Sequence, residues 1–462
     1  MLQTMKSRLE CYNEMEKKFP DFSCPSSFDK FPLQTYEECA PGGVGKNKKG
    51  DISEPRKSSN NSTLPACNEI SRMLFNSYEK KNSKLSLMVA QWANMIYNDM
   101  ARIGSNKNEH LEELDCCGAD KNNTECLPIE NFYISGKKTC IPYARTMPAP
   151  AESCSLGSRK QSNQVNSFLD ASPIYGSMGK RAEFLRTKLN GKLKMTRLPN
   201  NQEAMLQSPK GFKACTESTS KYLDVSKQIC CNEMFEHLGS DTANLFPTLS
   251  ALHTVWVKQH NQLTFKLKKV NQFWDDERLY QEAKKIVGAQ IQHITFNEFL
   301  PLVIVNWMKK ARLDLKENGF SSDYNINFNP NTLNEYAAAA GFFFYGLLPE
   351  KIVIKHSETK ATPMRDAFYN PSLLYEQHGI LNLIKFLITE PSLIPIGQIN
   401  NEFRQHFLKS NNHAGFDMMT ILIQMGRDHG LPPYVVVRHQ CNLKKIETFD
   451  DLHDVLENSN HV

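Results

Sequence analysis

Two features of the sequence carry side chains that could do chemistry. His253 and His260 lie seven residues apart, a spacing that places both on one face of a helix and would allow a metal pair. Arg427, Asp428 and His429 follow one another and, taken alone, resemble a catalytic acid–base group. Histidines at helical spacing are more often structural than metal-binding, so we predict a structural role for the pair.

A glycine-rich stretch, Gly42 to Lys46, is similar in composition to a loop that cradles phosphate. The Gly-Lys pair is followed by Asn47, where such a loop needs serine or threonine, and no apolar strand precedes it. The sequence also lacks the Gly-x-Ser-x-Gly, helical zinc and dinucleotide-loop motifs. We therefore assign this stretch to a flexible linker between Cys39 and Thr63.

Helical periodicity is the main signal in the rest of the chain. Apolar residues recur at helical spacing from Leu249 to Leu267, which predicts an amphipathic helix. Acidic residues from Asp275 onward begin a second predicted helix, whose apolar positions end at Ile294, before Pro301. Because runs of β-branched residues are short, apart from Lys351 to Ile354, we predict a mainly α fold with minor short strands.

Composition argues against nucleic-acid binding and against a membrane-spanning helix. The 462 residues, 40% of them hydrophobic, suffice for a large core. The net charge of +5 comes from 55 basic and 50 acidic residues, so no positive field of the kind that binds nucleic acid is expected. The longest apolar run, Phe299 to Trp307, is far shorter than the roughly 20 residues of a membrane-spanning helix.

Cysteine usage points to oxidising surroundings. Thirteen cysteines are more than a reduced cytosolic protein usually carries, and the odd count leaves at least one thiol without an internal partner. Glycosylation sequons at Asn60, Asn61 and Asn122 point the same way. No signal peptide is visible between Met1 and Phe19. We expect an extracellular protein.

Several ordered segments resemble the animal haem peroxidase family. They cover roughly Leu64 to Leu443, which divides the chain into a variable segment with its linker (1–63), a peroxidase-like domain (64–443) that is incomplete at its C-terminal end, and a tail (444–462). The resemblance implies that family's helical fold. The matching segments are Leu64–Phe75, the cysteine block Cys116–Cys154, Gln161–Gly176, His253–Asn261, Trp274–Pro301 and Gly426–Tyr434.

The resemblance also identifies the positions of the peroxide site. Asn98 stands where the family has the histidine that moves the proton of peroxide, and an amide has no suitable pKa for that task. Tyr97 stands where many members have an acid that forms an ester with haem. Counting back from His253 places Thr242 at the catalytic arginine and Leu245 at the second ester-forming acid. No catalytic residue is therefore expected.

On the other face of the haem, Tyr345 takes the position of the histidine that ligates iron. A tyrosinate can ligate haem iron, so this change alone leaves ligation open. However, four adjacent aromatic residues, Phe342 to Tyr345, would fill a cavity with apolar surface. We favour this second interpretation, which makes bound haem doubtful.

Two further expectations come from the resemblance. The family's calcium loop is similar to Asn166, Phe168 (through its carbonyl), Asp170 and Ser172 together with Asp99, a set of oxygen ligands that suits calcium. The cysteine that Cys441 resembles pairs, in the family, with one beyond the position of Val462, which predicts a free Cys441. In the family the Arg427–His429 run is architectural.

We therefore predict a catalytically inactive pseudo-peroxidase with a binding or structural role. The ligand or partner stays open, and an extracellular protein is one candidate. The alternative is an active peroxidase, a hydrogen-peroxide oxidoreductase that uses Tyr345 as iron ligand and Asn98 as a peroxide contact. A third hypothesis is a decayed gene product that does not fold stably.

Overall fold

A computed structural model describes most of the chain beyond residue 57. The described residues are 34–35, 58, 60, 62–75, 80–107, 113–134, 137–149, 159–177, 179–198, 200–205, 243–304, 308–309, 311, 313–316, 318–319, 324–355, 359–394, 398–409 and 415–452. The linker predicted between Cys39 and Thr63 lies almost wholly outside these residues, as does Thr242.

The described part of the chain is mainly helical, which confirms the predicted fold class. Its α-helices are α1 (Cys67–Leu74), α2 (Met88–Met100), α3 (Ser172–Tyr175), α4 (Gly179–Leu185), α5 (Pro247–Val270), α6 (Asp276–Ile294), α7 (Leu300–Val303), α8 (Asn334–Ala338), α9 (Ser372–Tyr375), α10 (Gly379–Thr389), α11 (Asn401–Arg404), α12 (Met418–Asp428) and α13 (Tyr434–Gln440). Among the described residues, no helix combines the length and apolar character that crossing a bilayer requires.

Short strands form five antiparallel pairs in the described part of the chain. They are β1 (Gln34–Thr35), β2 (Lys81–Ser86), β3 (Ile129–Ile134), β4 (Lys137–Ile141), β5 (Ser162–Asn163), β6 (Met195–Arg197), β7 (Glu203–Met205), β8 (Lys351–Lys355), β9 (Thr359–Pro363) and β10 (Pro391–Leu393). The pairs are β1–β5, β2–β10, β3–β4, β6–β7 and β8–β9. The strand predicted at Lys351 to Ile354 is β8, which confirms that assignment.

Helices α5 and α6 form an antiparallel hairpin, as their apolar periodicity predicts. Pro247 begins α5, where its missing N–H costs nothing. The Asp275 side chain accepts a hydrogen bond from the Arg278 N–H and so caps α6, and Asp276 and Glu277 add negative charge to its first turn. Both helices bury one face in the main hydrophobic core.

Helix α6 ends at Ile294, before Pro301, as predicted, but the chain stays helical beyond that point. After Ile294 the helix widens into a π-helical turn, Thr295–Phe299, and α7 then continues through Pro301 to Val303. Proline cannot donate to the carbonyl four residues before it, and a wider turn accommodates that loss without ending the helix. The Thr295 hydroxyl donates to the Ile291 carbonyl at 2.7 Å within this turn.

Helix α2 is central to the core. Every residue from Val89 to Asp99 is buried, so this helix is covered on all sides. It contacts α5, the β2–β10 pair and a 3-10 segment, Ala340–Leu347, that follows α8. The side chains of Tyr97, Asn98 and Asp99 are therefore fixed by packing on several elements at once.

A buried polar network joins the end of α12 to the segment before β5. The Asp428 carboxylate accepts hydrogen bonds from Arg145 Nε at 2.8 Å and from the Thr146 N–H at 2.7 Å. The His429 ring contacts the Thr146 hydroxyl through Nε2, at 2.8 Å, and Asn334 Oδ1 through Nδ1, at 2.7 Å. Asp428 and His429 thus hold distant segments together, as expected for an architectural role.

We predict that Asp428→Ala lowers the free energy of unfolding by about 3–5 kcal/mol, because the substitution leaves the buried Arg145 guanidinium without its carboxylate. Urea denaturation measures the change. Glu447→Ala is the matched control: its ion pair with Lys445 is exposed, so its loss should leave the free energy of unfolding nearly unchanged. Equal effects of the two substitutions would contradict the assigned role of Asp428.

Candidate functional site

The second half of α2 lies directly against the 3-10 segment. The Tyr97 hydroxyl donates to the Ala337 carbonyl at 2.7 Å, and the Tyr97 ring centroid is 4.7 Å from that of Phe342. Gly341 is needed for this approach, since a Cβ at that position would be 2.5 Å from Cδ2 of Tyr97. At this point α2 contacts the 3-10 segment, with the Tyr97 ring against the Gly341 backbone.

Asn98 is buried and its amide is engaged within its own helix. Its Nδ2 donates to the Asn94 carbonyl at 2.8 Å and to Asn94 Oδ1 at 2.7 Å. Two turns before Asn98, Gln91 Oε1 accepts a hydrogen bond from the Thr248 hydroxyl at 2.7 Å, which connects α2 to α5. The buried polar side chains of α2 include the amides Gln91, Asn94 and Asn98 but no histidine.

Tyr345 lies inside a cluster of aromatic rings. Its ring stacks on Phe344 at a centroid distance of 4.4 Å and meets the edge of Phe403 at 5.2 Å. Burial raises the pKa of the Tyr345 hydroxyl well above its usual value. The ring centroids of Phe246, Phe342 and Phe407 lie 6.3, 6.1 and 6.2 Å from that of Tyr345.

Phe343 departs from the prediction that four adjacent aromatic residues fill one cavity. Its side chain is 37% exposed and points away from the cluster, whereas Phe344 and Tyr345 are buried and Phe342 is half-buried. The 3-10 geometry explains the difference, because three residues per turn cannot direct four consecutive side chains to one side.

Leu245 lies just before α5. It is buried in the main core, and its carbonyl accepts a hydrogen bond from the Tyr369 N–H at 3.2 Å. An aliphatic side chain here contributes packing and offers no oxygen to a ligand. The neighbouring position predicted for a catalytic arginine, Thr242, lies outside the described residues.

A cluster of oxygen atoms lies where α2 meets the loop before α3. The Ser172 N–H donates to Asp99 Oδ1 at 2.7 Å and to Asp170 Oδ1 at 3.0 Å, so the two carboxylates converge on one hydrogen. The Ser172 hydroxyl donates to Asp99 at 2.7 Å, and Asn166 Nδ2 to Asp170 at 2.9 Å. The five residues expected from sequence to form a cation site are thus brought together, with Phe168 contributing the carbonyl that accepts from the Asp170 N–H.

Two carboxylates, Asp99 and Asp170, lie close together in this oxygen cluster. Burial, with the nearby negative charge of Asp170, raises the pKa of Asp99 to about 7. Within the described residues, no three His, Cys, Asp or Glu side chains form a metal-holding group, so carbonyl, amide and hydroxyl oxygens would have to supplement the two carboxylates. Calcium accepts such a mixed set of oxygen ligands.

His253 and His260 do not form a metal pair. The His260 ring is held through Nδ1 by the Tyr175 hydroxyl, at 2.9 Å, and through Nε2 by the Gly191 carbonyl, at 2.8 Å. Both nitrogens are therefore occupied. His253 is completely buried, and burial lowers its pKa to about 4. The contacts of His260 agree with the structural role predicted for it, whereas neither ring nitrogen of His253 has a hydrogen-bond partner among the described residues.

The cysteine block forms two disulfides, Cys116–Cys126 and Cys117–Cys140. Cys441 is a free, exposed thiol, as predicted. Cys67 is also free, but it is buried, donates to Gln424 Oε1 at 3.1 Å and accepts from Arg427 Nη1 at 3.0 Å. Sequence reasoning missed this contact, since nothing local relates residues 360 positions apart.

Comparison with known proteins agrees with this architecture. The sequence pattern of the animal haem peroxidase family matches residues 45–462, and the chain belongs to that family. It is 28% identical to chorion peroxidase of Drosophila melanogaster over 414 residues, which is 86% of this chain and 50% of the relative. Against peroxidasin of the same organism the identity is 30% over 393 residues, covering 80% of this chain and 25% of the relative.

Among solved structures, peroxidase A of Dictyostelium discoideum is similar, with a TM-score of 0.68 and 20% identity over 93% of this chain and 81% of that one. This likeness concerns the fold. The chain spans half or less of the length of the two fly relatives. Several family members are named as peroxidases, and haem is the cofactor named by the family.

At Tyr97 and Phe342, α2 and the 3-10 segment lie closer together than the two walls around a porphyrin would. Side chains that contact a porphyrin lie about 3.5 Å from each of its faces, so the side chains on opposite faces are about 7 Å apart. Here the Tyr97 and Phe342 centroids are 4.7 Å apart, and Tyr97 reaches across to the Ala337 carbonyl. Tyr345 lies among carbon rings, with no described hydrogen bond from its hydroxyl.

We predict that Gly341→Ala destabilises the protein by about 1–3 kcal/mol, because the new methyl group must displace the Tyr97 ring or the Tyr336 carbonyl. Gly288→Ala in α6 is the matched control: a Cβ there meets no atom within 4 Å, so helix propensity should make the change neutral or stabilising. Thermal denaturation compares them. A neutral Gly341→Ala would mean that α2 and the 3-10 segment are not in contact.

Proposed function

We propose that this chain is a catalytically inactive member of its family, a pseudo-peroxidase that keeps the helical scaffold and acts through binding or structure. The observation that carries the proposal is the contact of Tyr97 with Gly341, Phe342 and the Ala337 carbonyl. Side chains occupy the space that a flat cofactor would need. We place the protein outside the cell, in line with the Cys116–Cys126 and Cys117–Cys140 disulfides.

The chemistry of Asn98 supports the same proposal. Activation of peroxide needs a group that accepts a proton near neutral pH, and a carboxamide does not. Both hydrogens of the Asn98 amide already have acceptors at Asn94. An amide in this state can neither take up a proton nor turn toward a substrate without breaking two hydrogen bonds.

Tyr345 offers weak support for an active alternative. Iron ligation by tyrosine requires the phenolate, and burial among rings raises the pKa of Tyr345. Within the described contacts, the neighbours of its ring are carbon atoms of Phe344, Phe403 and Phe407, which do not stabilise negative charge. Packing is therefore the role that we assign to Tyr345.

The haem proposal is tested by titrating the purified, folded chain with haemin. We expect no saturable Soret band and no oxidation of guaiacol or iodide when peroxide is added. A cooperative melt recorded on the same sample excludes the hypothesis of a chain that does not fold. A stoichiometric Soret band with peroxidase turnover would contradict the proposal and favour the alternative in which Tyr345 ligates iron.

The variant Asn98→His provides a second measurement. Restoring an imidazole at this position should not produce peroxidase activity, because the Tyr97–Gly341 contact and the Tyr345 cluster are unchanged. Asn94→His, one turn away on the same buried helix, is the matched control for the effect of an added imidazole on stability. Activity in Asn98→His above that of Asn94→His would show that the space is accessible after all.

We further propose that the oxygen cluster of Asp99, Asn166, Phe168, Asp170 and Ser172 binds calcium. The support is the convergence of two carboxylates on the Ser172 N–H, which leaves like charges close together. A divalent cation would remove that repulsion and would hold the loop before α3 onto α2. In this proposal calcium stabilises the scaffold and takes no part in chemistry.

Calcium should raise the melting temperature by several degrees at pH 8, since a bound ion adds RT ln(1 + [L]/Kd) to stability, about 2.7 kcal/mol at one hundred times Kd. The raised pKa of Asp99, about 7, means that the metal-free fold loses stability as pH rises from about 4 through 7. The gain from calcium should accordingly be smaller at pH 5.

The substitution Asp170→Asn should abolish the rise in melting temperature that calcium causes, whereas Asp366→Asn, away from the cluster, should not. An equal gain in both variants would contradict the site.

A further inference from the structure

The connection between α5 and α6 exposes apolar side chains that no element of the described chain covers. We name residues 265–278 the hairpin tip. Phe273 is fully exposed, Val270 is 81% exposed and Phe265 is 52% exposed. Exposed large apolar groups normally occur singly, and a cluster of them marks a surface that another body covers.

Basic side chains surround these apolar groups. Lys266 and Lys269 are exposed, and Lys269 Nζ lies 4.4 Å from the centroid of the Phe265 ring. The guanidinium of Arg278 lies 5.1 Å from the centroid of the Trp274 ring. Cations that lie on aromatic faces keep their charge in water while their stems cover apolar surface, as at a membrane interface.

The acidic residues of the hairpin tip lie at the start of α6, on the far side of the turn from Lys266 and Lys269. Asp276 and Glu277 bond to the buried guanidinium of Arg186, and Asp275 caps α6. Lys268 donates to the carbonyls of Gln272 and Trp274, both at 2.8 Å, and so fixes the loop that carries Phe273. The hairpin tip carries four basic and three acidic side chains, and its positive charge lies at the end of α5, where Lys266 and Lys269 flank the exposed apolar residues.

We propose that the hairpin tip binds an anionic lipid surface. Phe273 and Val270 would enter the boundary between headgroups and acyl chains, while Lys266 and Lys269 attract acidic headgroups. A bilayer fits this shape better than a protein groove, since fully exposed side chains at the turn between two helices project outward and a bilayer can accommodate a projection anywhere on its face. This binding is peripheral and independent of the peroxide site.

The experiment is cosedimentation of the full chain with vesicles. Phosphatidylcholine vesicles are compared with vesicles that also contain phosphatidylserine, at low and at physiological salt. We expect binding to the anionic vesicles, weakened by salt, and little binding to phosphatidylcholine alone. Lys266→Gln with Lys269→Gln should reduce binding about 25-fold, as each lysine near an anionic surface contributes about fivefold. Phe273→Ser with Val270→Ser should reduce it about tenfold or more.

The control variant is Ile326→Ser with Phe328→Ser, which removes similarly exposed apolar side chains from another loop and should leave binding unchanged. Circular dichroism and a thermal melt establish that all three variants are folded. Loss of binding in the control as well as in the tip variants would overturn the proposal. So would binding that depends on the lysines but survives Phe273→Ser with Val270→Ser, since that result describes a general polyanion site. Absence of binding to anionic vesicles also overturns it.

Discussion

The contact between Tyr97 and the backbone of Gly341 is the constraint on which the rest of this site depends. Helix α2 is buried on all sides, so its side chains cannot move aside without disturbing α5, β2 and the 3-10 segment together. A ring that lies against a glycine backbone fixes the distance between the two elements. The hydrogen bond from Tyr97 to Ala337 adds direction to the contact, because a buried hydroxyl needs a partner.

Once the two elements touch, the chemistry of the neighbouring residues follows. Asn98 turns its amide back onto α2, where Asn94 provides two acceptors, and Tyr345 completes an aromatic core with Phe344 and Phe403. A site built in this way contributes apolar packing and satisfied hydrogen bonds. In the proposed function, the residues at the family's catalytic positions stabilise the scaffold instead. The scaffold then acts through binding or structure.

Much of the fold followed from the sequence, and the reasons are physical. Helices α5 and α6 are long and carry an apolar stripe, and acidic residues from Asp275 onward mark the start of α6, so periodicity and first-turn charge sufficed to predict them. The widening of the helix at Thr295 did not follow, because the sequence rule for proline says only that a regular turn cannot contain it. The outward direction of Phe343 was also missed, since it depends on 3-10 geometry that no local residue specifies.

The site shows the same division between what is local and what is not. The oxygen cluster was expected from the resemblance to the family's calcium loop, and four of its five members lie close in sequence, between Asn166 and Ser172. Calcium binding by this cluster stays a proposal. The contact of Tyr97 with Gly341 joins residues that are far apart in sequence, and neither residue type by itself implies it. The same is true of Cys67, whose partners Gln424 and Arg427 come from α12.

The central claim is that side chains fill the space between α2 and the 3-10 segment. Crystals of the full chain grown with excess haemin, with diffraction data collected at the iron absorption edge, test it most directly. We predict no anomalous peak between Tyr97 and Phe342, with the hydrogen bond from Tyr97 to the Ala337 carbonyl intact. An iron peak at that position, with the Tyr97 and Phe342 rings displaced to either side of a porphyrin, would contradict the account.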